Sequence, residues 1–248
     1  MAASALGPLM SLFCAIQSSG ARGLPRTVAR TPGTGAIRMM AMAKVFEREA
    51  VDVEFVGSFV DWEAMPNTRL PEVAFFGRSN VGKSSALNCL VGRTSAKIAR
   101  VSKTPGCTTA LNLYRIGKAC TVCDLPGYGF AKRGQEQKEE WGRAISDYVA
   151  ERDQLRVLVV FMDPRHGPKE NDANFFEWLR GFKVKDCGLV TVATKCDTMK
   201  PSNIEGNLRE LQEAYGLLDL PIPFSSVKGT GKTQLWRAIQ EQAAVHMD

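Results

Sequence analysis

Gly77-Arg-Ser-Asn-Val-Gly-Lys-Ser84 is the stretch that decides the fold of this 248-residue chain. The apolar run 73–76 precedes it and the helix-like segment 86–91 follows it, so the order is strand, tight loop and helix. Gly77 and Gly82 lack a Cβ, which lets the backbone turn sharply and present successive N–H groups to an anion. The positive end of the following helix faces the same anion. This context predicts a phosphate-binding loop.

Two side chains at the end of the loop extend the prediction to a nucleotide and its metal ion. The Lys83 ammonium would reach the terminal phosphates, and the Ser84 hydroxyl would ligate the Mg²⁺ that bridges them. The predicted nucleotide-binding residues of this segment are Gly77, Arg78, Ser79, Asn80, Val81, Gly82, Lys83, Ser84 and Ser85.

A second signal, Asp124-Leu-Pro-Gly127, stands at the end of an apolar strand. Open α/β sheets place their ligand-binding groups at such positions. Asp124 would hold Mg²⁺ through a water molecule, and the Gly127 N–H would sense the γ-phosphate. We therefore add Asp124, Leu125, Pro126 and Gly127 to the predicted nucleotide-binding residues.

The polar segment 102–109 lies between these two signals and after the first predicted helix. A mobile loop there would offer a threonine hydroxyl to the metal. We favour Thr108, with Thr109 as the alternative, and an ordinary turn built on Pro105-Gly106 is the competing interpretation. The candidate catalytic residues are Lys83, Thr108 and Gly127.

Thr194-Lys-Cys-Asp197 and Phe224-Ser-Ser-Val227 are the signals for the base. The Asp197 carboxylate would accept two hydrogen bonds from the N1 and N2 edge of guanine, whereas adenine presents no such donor pair. The Lys195 stem would lie along the base plane, and backbone N–H groups of the second segment would bind guanine O6. A helix-capping aspartate is the alternative for Asp197. The predicted guanine-site residues are Thr194, Lys195, Asp197, Ser225, Ser226 and Val227.

Short apolar runs alternate with amphipathic helical patterns from residue 51 onward. Predicted strands are residues 54–59, 73–76, 110–115, 119–123, 157–162, 189–193 and 222–224. Predicted helices are residues 135–152, 169–182, 203–215 and 233–244. This alternation predicts an α/β fold whose mostly parallel sheet is covered by helices on both faces. We interpret residues 47–248 as one domain.

Residues 1–46 have a different composition from the rest of the chain. They contain Arg22, Arg26, Arg30, Arg38 and Lys44, and the first carboxylate is Glu47. Without these five, 27 basic residues face 26 acidic ones, so the net charge of +6 belongs mostly to this leader. The composition is typical of an organellar transit peptide, and the apolar stretch 5–16 is too short to span a bilayer. We predict a targeting or disordered leader and a location in the mitochondrial matrix or the plastid stroma.

The ordered motifs resemble the five G motifs of the translation-factor-related GTPases. More closely, the chain resembles the EngB (YihA) family of ribosome-assembly GTPases, from roughly residue 51 to the C-terminus. The residues that carry this resemblance are Gly77–Ser85, Pro105-Gly-Cys-Thr108, Asp124-Leu-Pro-Gly-Tyr-Gly-Phe-Ala131, Trp141-Gly142, Asp163-Pro-Arg-His166 and Thr194-Lys-Cys-Asp197. In the mobile loop, Cys107 replaces the family's usual basic residue and Thr109 its usual glutamine.

The resemblance implies a Ras-like P-loop NTPase fold, with a six-stranded sheet whose second strand is antiparallel. It implies hydrolysis of GTP to GDP and phosphate, with Ser84 and Thr108 as the direct Mg²⁺ ligands. It also implies a part in assembly of the large ribosomal subunit. Bacterial members are linked to cell division and septation as well. The alternative function is therefore a GTP-gated factor for organelle division with no ribosomal role.

Tyr128 stands where Ras-type enzymes carry a water-orienting glutamine. A phenol positions a nucleophilic water poorly, so we predict slow intrinsic hydrolysis that a partner accelerates. Asn80 offers a carbonyl oxygen in the phosphate loop, and in related GTPases that asparagine helps to hold a K⁺ ion. We predict that K⁺ supplies positive charge where other enzymes use an arginine.

The partner is predicted from charge. Residues 78–123 contain no carboxylate. Their basic residues are Arg78, Lys83, Arg93, Lys97, Arg100, Lys103, Arg115 and Lys118. We predict that this face of a monomer meets the phosphates of ribosomal RNA in a large-subunit precursor, without stable membrane insertion. The competing interpretation is a solvated face offset by acids elsewhere.

Overall fold

The computed structural model describes residues 52–92, 110–128, 135–181 and 187–245, and within these ranges the chain forms seven strands and five α-helices. The strands are β1 Val53–Phe59, β2 Glu72–Gly77, β3 Leu111–Ile116, β4 Cys120–Asp124, β5 Leu155–Met162, β6 Gly188–Ala193 and β7 Ile222–Pro223. The helices are α1 Lys83–Leu90, α2 Gln135–Glu151, α3 Glu170–Gly181, α4 Pro201–Tyr215 and α5 Lys232–Val245. Single 3₁₀ turns follow β5 and β6, at Pro164–His166 and Cys196–Thr198.

The seven strands form one sheet in the order β1-β3-β4-β2-β5-β6-β7. β3 runs antiparallel to both of its neighbours, β1 and β4, and every other neighbouring pair is parallel. The predicted α/β fold class is confirmed, and each predicted strand is present. The sheet has one strand more than the six that the family resemblance implies. The additional strand is β1, which adds to the edge of the sheet beside β3.

Helices cover both faces of the sheet, as the alternating pattern predicts. Side chains of successive strand residues point to opposite faces. Val73 and Phe75 of β2 accordingly pack with α1 and α5, whereas Ala74 and Phe76 pack with α2, α3 and α4. All six residues of β2 are buried, so the central strand fixes the position of the loop that follows Gly77.

A buried polar network holds the opposite end of β2. The Glu72 side chain is fully buried, and its carboxylate accepts hydrogen bonds from the Tyr148 hydroxyl at 2.8 Å and from Arg152 Nη2 at 3.0 Å. Both donors lie at the C-terminal end of α2 or just after it. Glu72 and Gly77 bound the six residues of β2, which places this network roughly 17 Å from the phosphate loop.

Three predictions fall wholly or partly outside the described residues. They are the leader of residues 1–46, the loop predicted at 102–109 with Thr108 and Thr109, and the part of the predicted basic face that contains Arg93, Lys97, Arg100 and Lys103. In the part of the chain that is described, no helix has the length and apolar character needed to cross a bilayer.

Candidate nucleotide-binding site

The loop after β2 has the geometry of a phosphate cradle. Gly77 closes the strand at φ +148°, and a Cβ there would lie 2.7 Å from the Phe161 carbonyl oxygen. Gly82 adopts φ +119° as the N-cap of α1. Side chains rarely adopt either conformation, so both positions require glycine. The loop therefore delivers the chain from the buried strand directly to the N-terminus of a helix, where backbone N–H groups are available to an anion.

Lys83 folds back onto this loop. Its Nζ donates hydrogen bonds to the Gly77 carbonyl at 2.9 Å and the Arg78 carbonyl at 3.3 Å, and the residue is only 8% exposed. Burial lowers the pKa of Lys83, while the nearby Asp124 carboxylate opposes the shift. The ammonium is thus held within the loop and beside the carboxylate, in the position from which the sequence predicts that it meets phosphate.

Ser84 and Asp124 meet next to the lysine. The Ser84 hydroxyl donates to Asp124 Oδ2 at 2.6 Å, although the two residues are 40 positions apart. Asp124 is 2% exposed, and its second oxygen, Oδ1, is buried without a hydrogen-bond partner among the described residues. Burial raises the pKa of Asp124, against the opposing effects of Lys83 and Ser84.

An unpaired buried carboxylate oxygen is costly unless a ligand completes it. Carboxylate and hydroxyl oxygens are the ligands that Mg²⁺ prefers, together with water and substrate phosphates. Asp124 and Ser84 therefore fit the predicted metal. Within the described ranges no three His, Cys, Asp or Glu side chains cluster to hold a metal on their own. A Mg²⁺ ion here would need the nucleotide's oxygens to complete its coordination.

The Asp124–Gly127 segment lies directly on the phosphate loop. A Cβ at Gly127 would stand 2.5 Å from the Ser79 nitrogen, so the two backbones touch. The Ser79 N–H donates to the Tyr128 carbonyl at 3.4 Å, and Arg78 and Tyr128 form a parallel β-bridge. Leu125 and Pro126 are buried. The structure thus brings the first two sequence signals together.

The Tyr128 side chain leaves the phosphate loop and enters the core. Its hydroxyl donates to Asp172 Oδ1 of α3 at 2.9 Å, and its ring stacks on Phe175 with centroids 4.8 Å apart. Burial and the Asp172 carboxylate raise the pKa of Tyr128 well above its ordinary value. The Tyr128 hydroxyl is therefore already engaged by α3.

Asp172 is a residue that sequence reasoning missed. It is buried, and its Oδ2 lies 4.0 Å from Nη1 of Arg78 in the phosphate loop. Burial raises the pKa of Asp172 to about 6, although the Tyr128 hydroxyl and the Arg78 charge oppose the shift. Its helical position, three and four residues before Phe175 and Phe176, places it on the core-facing side of α3 and is the one signal available in the sequence.

The Thr194–Asp197 segment contacts the phosphate loop through two hydrogen-bonding side chains. The Thr194 hydroxyl lies 2.7 Å from the Val81 carbonyl oxygen and 3.0 Å from that of Met162. Lys195 adopts a left-handed conformation with φ +59°, and its Nζ donates to the Asn80 carbonyl at 2.9 Å. Asp197 follows in the short 3₁₀ turn and is half-buried.

Asp163 supports this lysine and is a second residue that the site prediction missed. Its Oδ2 accepts from Lys195 Nζ at 3.0 Å, and Arg165 binds both carboxylate oxygens, each at 2.8 Å. Burial would raise the pKa of Asp163, but the hydrogen bonds from Arg165 and Lys195 hold it far below its ordinary value. Two signals were available: Asp163 belongs to the Asp163-Pro-Arg-His166 stretch that carries the family resemblance, and it follows β5 at the edge where β2 and β6 also present their site residues.

The Ser225–Val227 segment lies beside the Thr194–Asp197 segment, because the Cys196 N–H donates to the Phe224 carbonyl at 3.2 Å. Ser225 is buried and shapes the loop: its N–H donates to the Thr230 carbonyl, and its hydroxyl accepts from the Lys228 N–H at 3.0 Å. Since the Ser225 N–H is engaged, we expect the amides of Ser226 or Val227 to meet guanine O6. Val227 itself is 82% exposed.

Comparison with known proteins places this geometry in one family. A family model described as "50S ribosome-binding GTPase" matches residues 72–195, half of the chain. A "Probable GTP-binding protein EngB" from Listeria innocua is 41% identical over 192 residues, which span 77% of this chain and 96% of the relative. The protein of the same name from Alkaliphilus metalliredigens is 38% identical over 190 residues, 76% of this chain and 89% of the relative.

A solved structure carries the same name. The crystal structure of a probable GTP-binding protein engB aligns with a TM-score of 0.55 at 25% identity, over 69% of this chain and 98% of that one. The structure described above agrees with these matches. It has the mixed β-sheet, Lys83 folded back onto the phosphate loop, the Ser84–Asp124 hydrogen bond and Lys195 bonded to the Asn80 carbonyl. The chain belongs to the EngB family of P-loop GTPases.

Proposed function

We propose that this GTPase is a switch in assembly of an organellar large ribosomal subunit. It would bind the precursor particle when loaded with GTP and leave after hydrolysis to GDP and phosphate. The observation that carries the proposal is the match to the ribosome-binding GTPase family across residues 72–195, which include the phosphate loop, Asp124–Gly127 and the start of the base motif.

Mg²⁺ is the proposed cofactor. Ser84 would ligate it directly and Asp124 through water, and Thr108 would complete the protein's contribution. When bound, Mg²⁺ would supply positive charge that neutralises the nucleotide's phosphates. Lys83 supplies a second positive charge on the same phosphates, and Gly127 supplies a backbone N–H.

Slow intrinsic hydrolysis is part of the proposal. Tyr128 donates its hydroxyl to Asp172, so the residue after Asp124–Gly127 does not orient water. K⁺ held with the help of Asn80 would compensate by adding positive charge next to the phosphates. Turnover at saturating GTP should therefore be faster in K⁺ than in Na⁺, and equal turnover would rule the ion out.

The charge argument for ribosomal RNA rests mainly on residues outside the described ranges. Arg93, Lys97, Arg100 and Lys103 lie there. Within the described part, Arg78 faces the Asp172 carboxylate, Lys83 is buried in the site and Arg115 is paired with Glu54 across β1 and β3. Lys118 remains exposed at the turn between β3 and β4. RNA contact is therefore proposed for the segment around residues 93–103 rather than for the whole of 78–123.

Sedimentation with precursor large subunits tests the ribosomal role. The protein should pellet with the particles in a non-hydrolysable GTP analogue and stay in the supernatant in GDP. Binding should weaken steeply with added salt, because lysine and arginine contacts to phosphate release counterions. Pelleting that ignores the nucleotide, or no pelleting at all, would contradict the proposal and favour a GTP-gated factor for organelle division.

The leader is tested separately. We propose that residues 1–46 direct the chain to the mitochondrial matrix or the plastid stroma. A fluorescent protein fused to residues 1–50 should enter one of these compartments. A fusion that stays diffuse in the cytosol would overturn the proposed location without affecting the GTPase assignment.

A further inference from the structure

The position of the Asp124–Gly127 segment bears on whether the site prefers GDP or GTP. Gly127 is the residue predicted to sense the γ-phosphate, yet here its backbone packs on Ser79 of the phosphate loop. The Ser79 N–H, one of the loop's own donors, is taken by the Tyr128 carbonyl. We call this arrangement, in which residues 125–128 lie on the phosphate loop, the docked segment.

Contacts with α3 hold the docked segment in place. The Tyr128 hydroxyl donates to the Asp172 carboxylate, and the Tyr128 ring stacks on Phe175 one turn further along the helix. Asp172 also faces Arg78 of the phosphate loop and Tyr215 of α4. The Tyr215 hydroxyl in turn accepts the Lys169 N–H at 2.6 Å, just before α3 begins. Asp172 and Phe175, which hold Tyr128, therefore belong to a packed pair of helices, α3 and α4.

The loop's own N–H groups cradle the α- and β-phosphates, which GDP and GTP share, so these groups do not distinguish the two nucleotides. The γ-phosphate, which GDP lacks, is the group that Gly127 is predicted to sense. While Gly127 packs on Ser79 and the Tyr128 carbonyl holds the Ser79 N–H, Gly127 has to move before it follows a third phosphate. For a nucleotide that binds only the undocked form, the apparent association constant is the intrinsic one multiplied by the fraction of molecules that are undocked.

We propose that Asp172 is a positioning residue that, through the Tyr128 hydroxyl, keeps the segment docked and so sets the preference of the site for GDP over GTP. A partner that moves α3 or withdraws Tyr128 would then raise the affinity for GTP. The proposal depends on GTP binding alone and does not require the ribosomal role.

The test measures the dissociation constants of fluorescent GDP and of a fluorescent non-hydrolysable GTP analogue, both with Mg²⁺, for the full chain and its variants. Tyr128→Phe keeps the ring and removes the hydroxyl. We expect it to raise the affinity for the GTP analogue, relative to GDP, by about tenfold. That change equals about 1.4 kcal/mol, near the lower end of what a hydrogen bond to a charged group contributes. Asp172→Asn keeps an acceptor but loses the charge, so the same change should be smaller and in the same direction.

Tyr148→Phe is the matched control. Tyr148 also donates a buried hydroxyl to a buried carboxylate, that of Glu72 at 2.8 Å, but at the far end of β2. It should lower thermal stability and leave the ratio of the two affinities unchanged. An unchanged or reduced ratio in Tyr128→Phe, or an equal rise in Tyr148→Phe, would overturn the proposal. Loss of binding to both nucleotides in the unmodified protein would instead contradict the GTPase site itself.

Discussion

Replacing Gly77 by alanine tests the phosphate loop by adding a single methyl group. The new Cβ would lie 2.7 Å from the Phe161 carbonyl oxygen and 2.9 Å from Val81 Cγ1, at a backbone φ of +148°. The left-handed conformation alone costs about 1–3 kcal/mol for a residue with a side chain. The carbonyl belongs to buried β5, so the loop has to move away instead. We expect the free energy of unfolding to fall by about 2–4 kcal/mol.

Gly206 provides the matched control, because a Cβ there meets nothing within 4 Å and the residue lies inside α4. Gly206→Ala should stabilise the protein by about 0.5–1 kcal/mol through helix propensity alone. Chemical denaturation measures both changes, and titration with fluorescent GDP measures binding. Gly77→Ala should also weaken GDP binding by at least about tenfold, since the N–H groups of the cradle shift with the loop. If Gly77→Ala has the stability and GDP affinity of the unmodified protein, the close approach of this loop to β5 is refuted.

Four further predictions address the carboxylates of the described structure. Asp172 has its pKa raised by burial from 3.8 to about 6, so stability should fall by about 3 kcal/mol between pH ~4 and ~7, and denaturation of Asp172→Asn should lack this slope. A parallel pH profile in the variant would contradict the burial argument. Asp163→Asn removes charge from the Lys195 contact and should weaken GDP and GTP equally, by about fivefold in titrations; an effect on only one nucleotide would argue against a role at the base. Asp197→Asn should weaken GTP at least about tenfold with no loss of stability, whereas a drop in melting temperature with intact binding would favour the helix-capping alternative. Glu72→Gln should cost about 3–5 kcal/mol in denaturation while GDP binding persists, and a mild cost would mean that the Arg152 pair contributes little.

The sequence predicted most of the local structure because the signals are local. The apolar runs and the glycines of the phosphate loop identify each strand and the strand–loop–helix unit, since period and backbone conformation act over a few residues. The pairing of β1 with β3 was not predicted, because the sequence of an edge strand does not indicate which strand it will pair with.

The site residues Asp172 and Asp163 were missed for the same reason. Asp172 meets Tyr128 across 44 positions, and Asp163 meets Lys195 across 32. Such contacts exist only after the strands and helices have packed, so periodicity places Asp172 on the core-facing side of α3 but does not reveal its partner. The direction of the Tyr128 side chain is a further case: its identity predicted slow hydrolysis, but only the fold shows that the hydroxyl is engaged by α3.

Competition between nucleotides for the purified protein tests the central claim most directly. The account has a loop that holds phosphates and an aspartate, Asp197, that binds the guanine edge. We therefore expect GDP to displace a fluorescent guanine nucleotide at concentrations about 10⁴-fold lower than ADP, because adenine has no donor pair for the Asp197 carboxylate. Displacement by ADP and GDP at similar concentrations, or failure to bind either, would contradict the account.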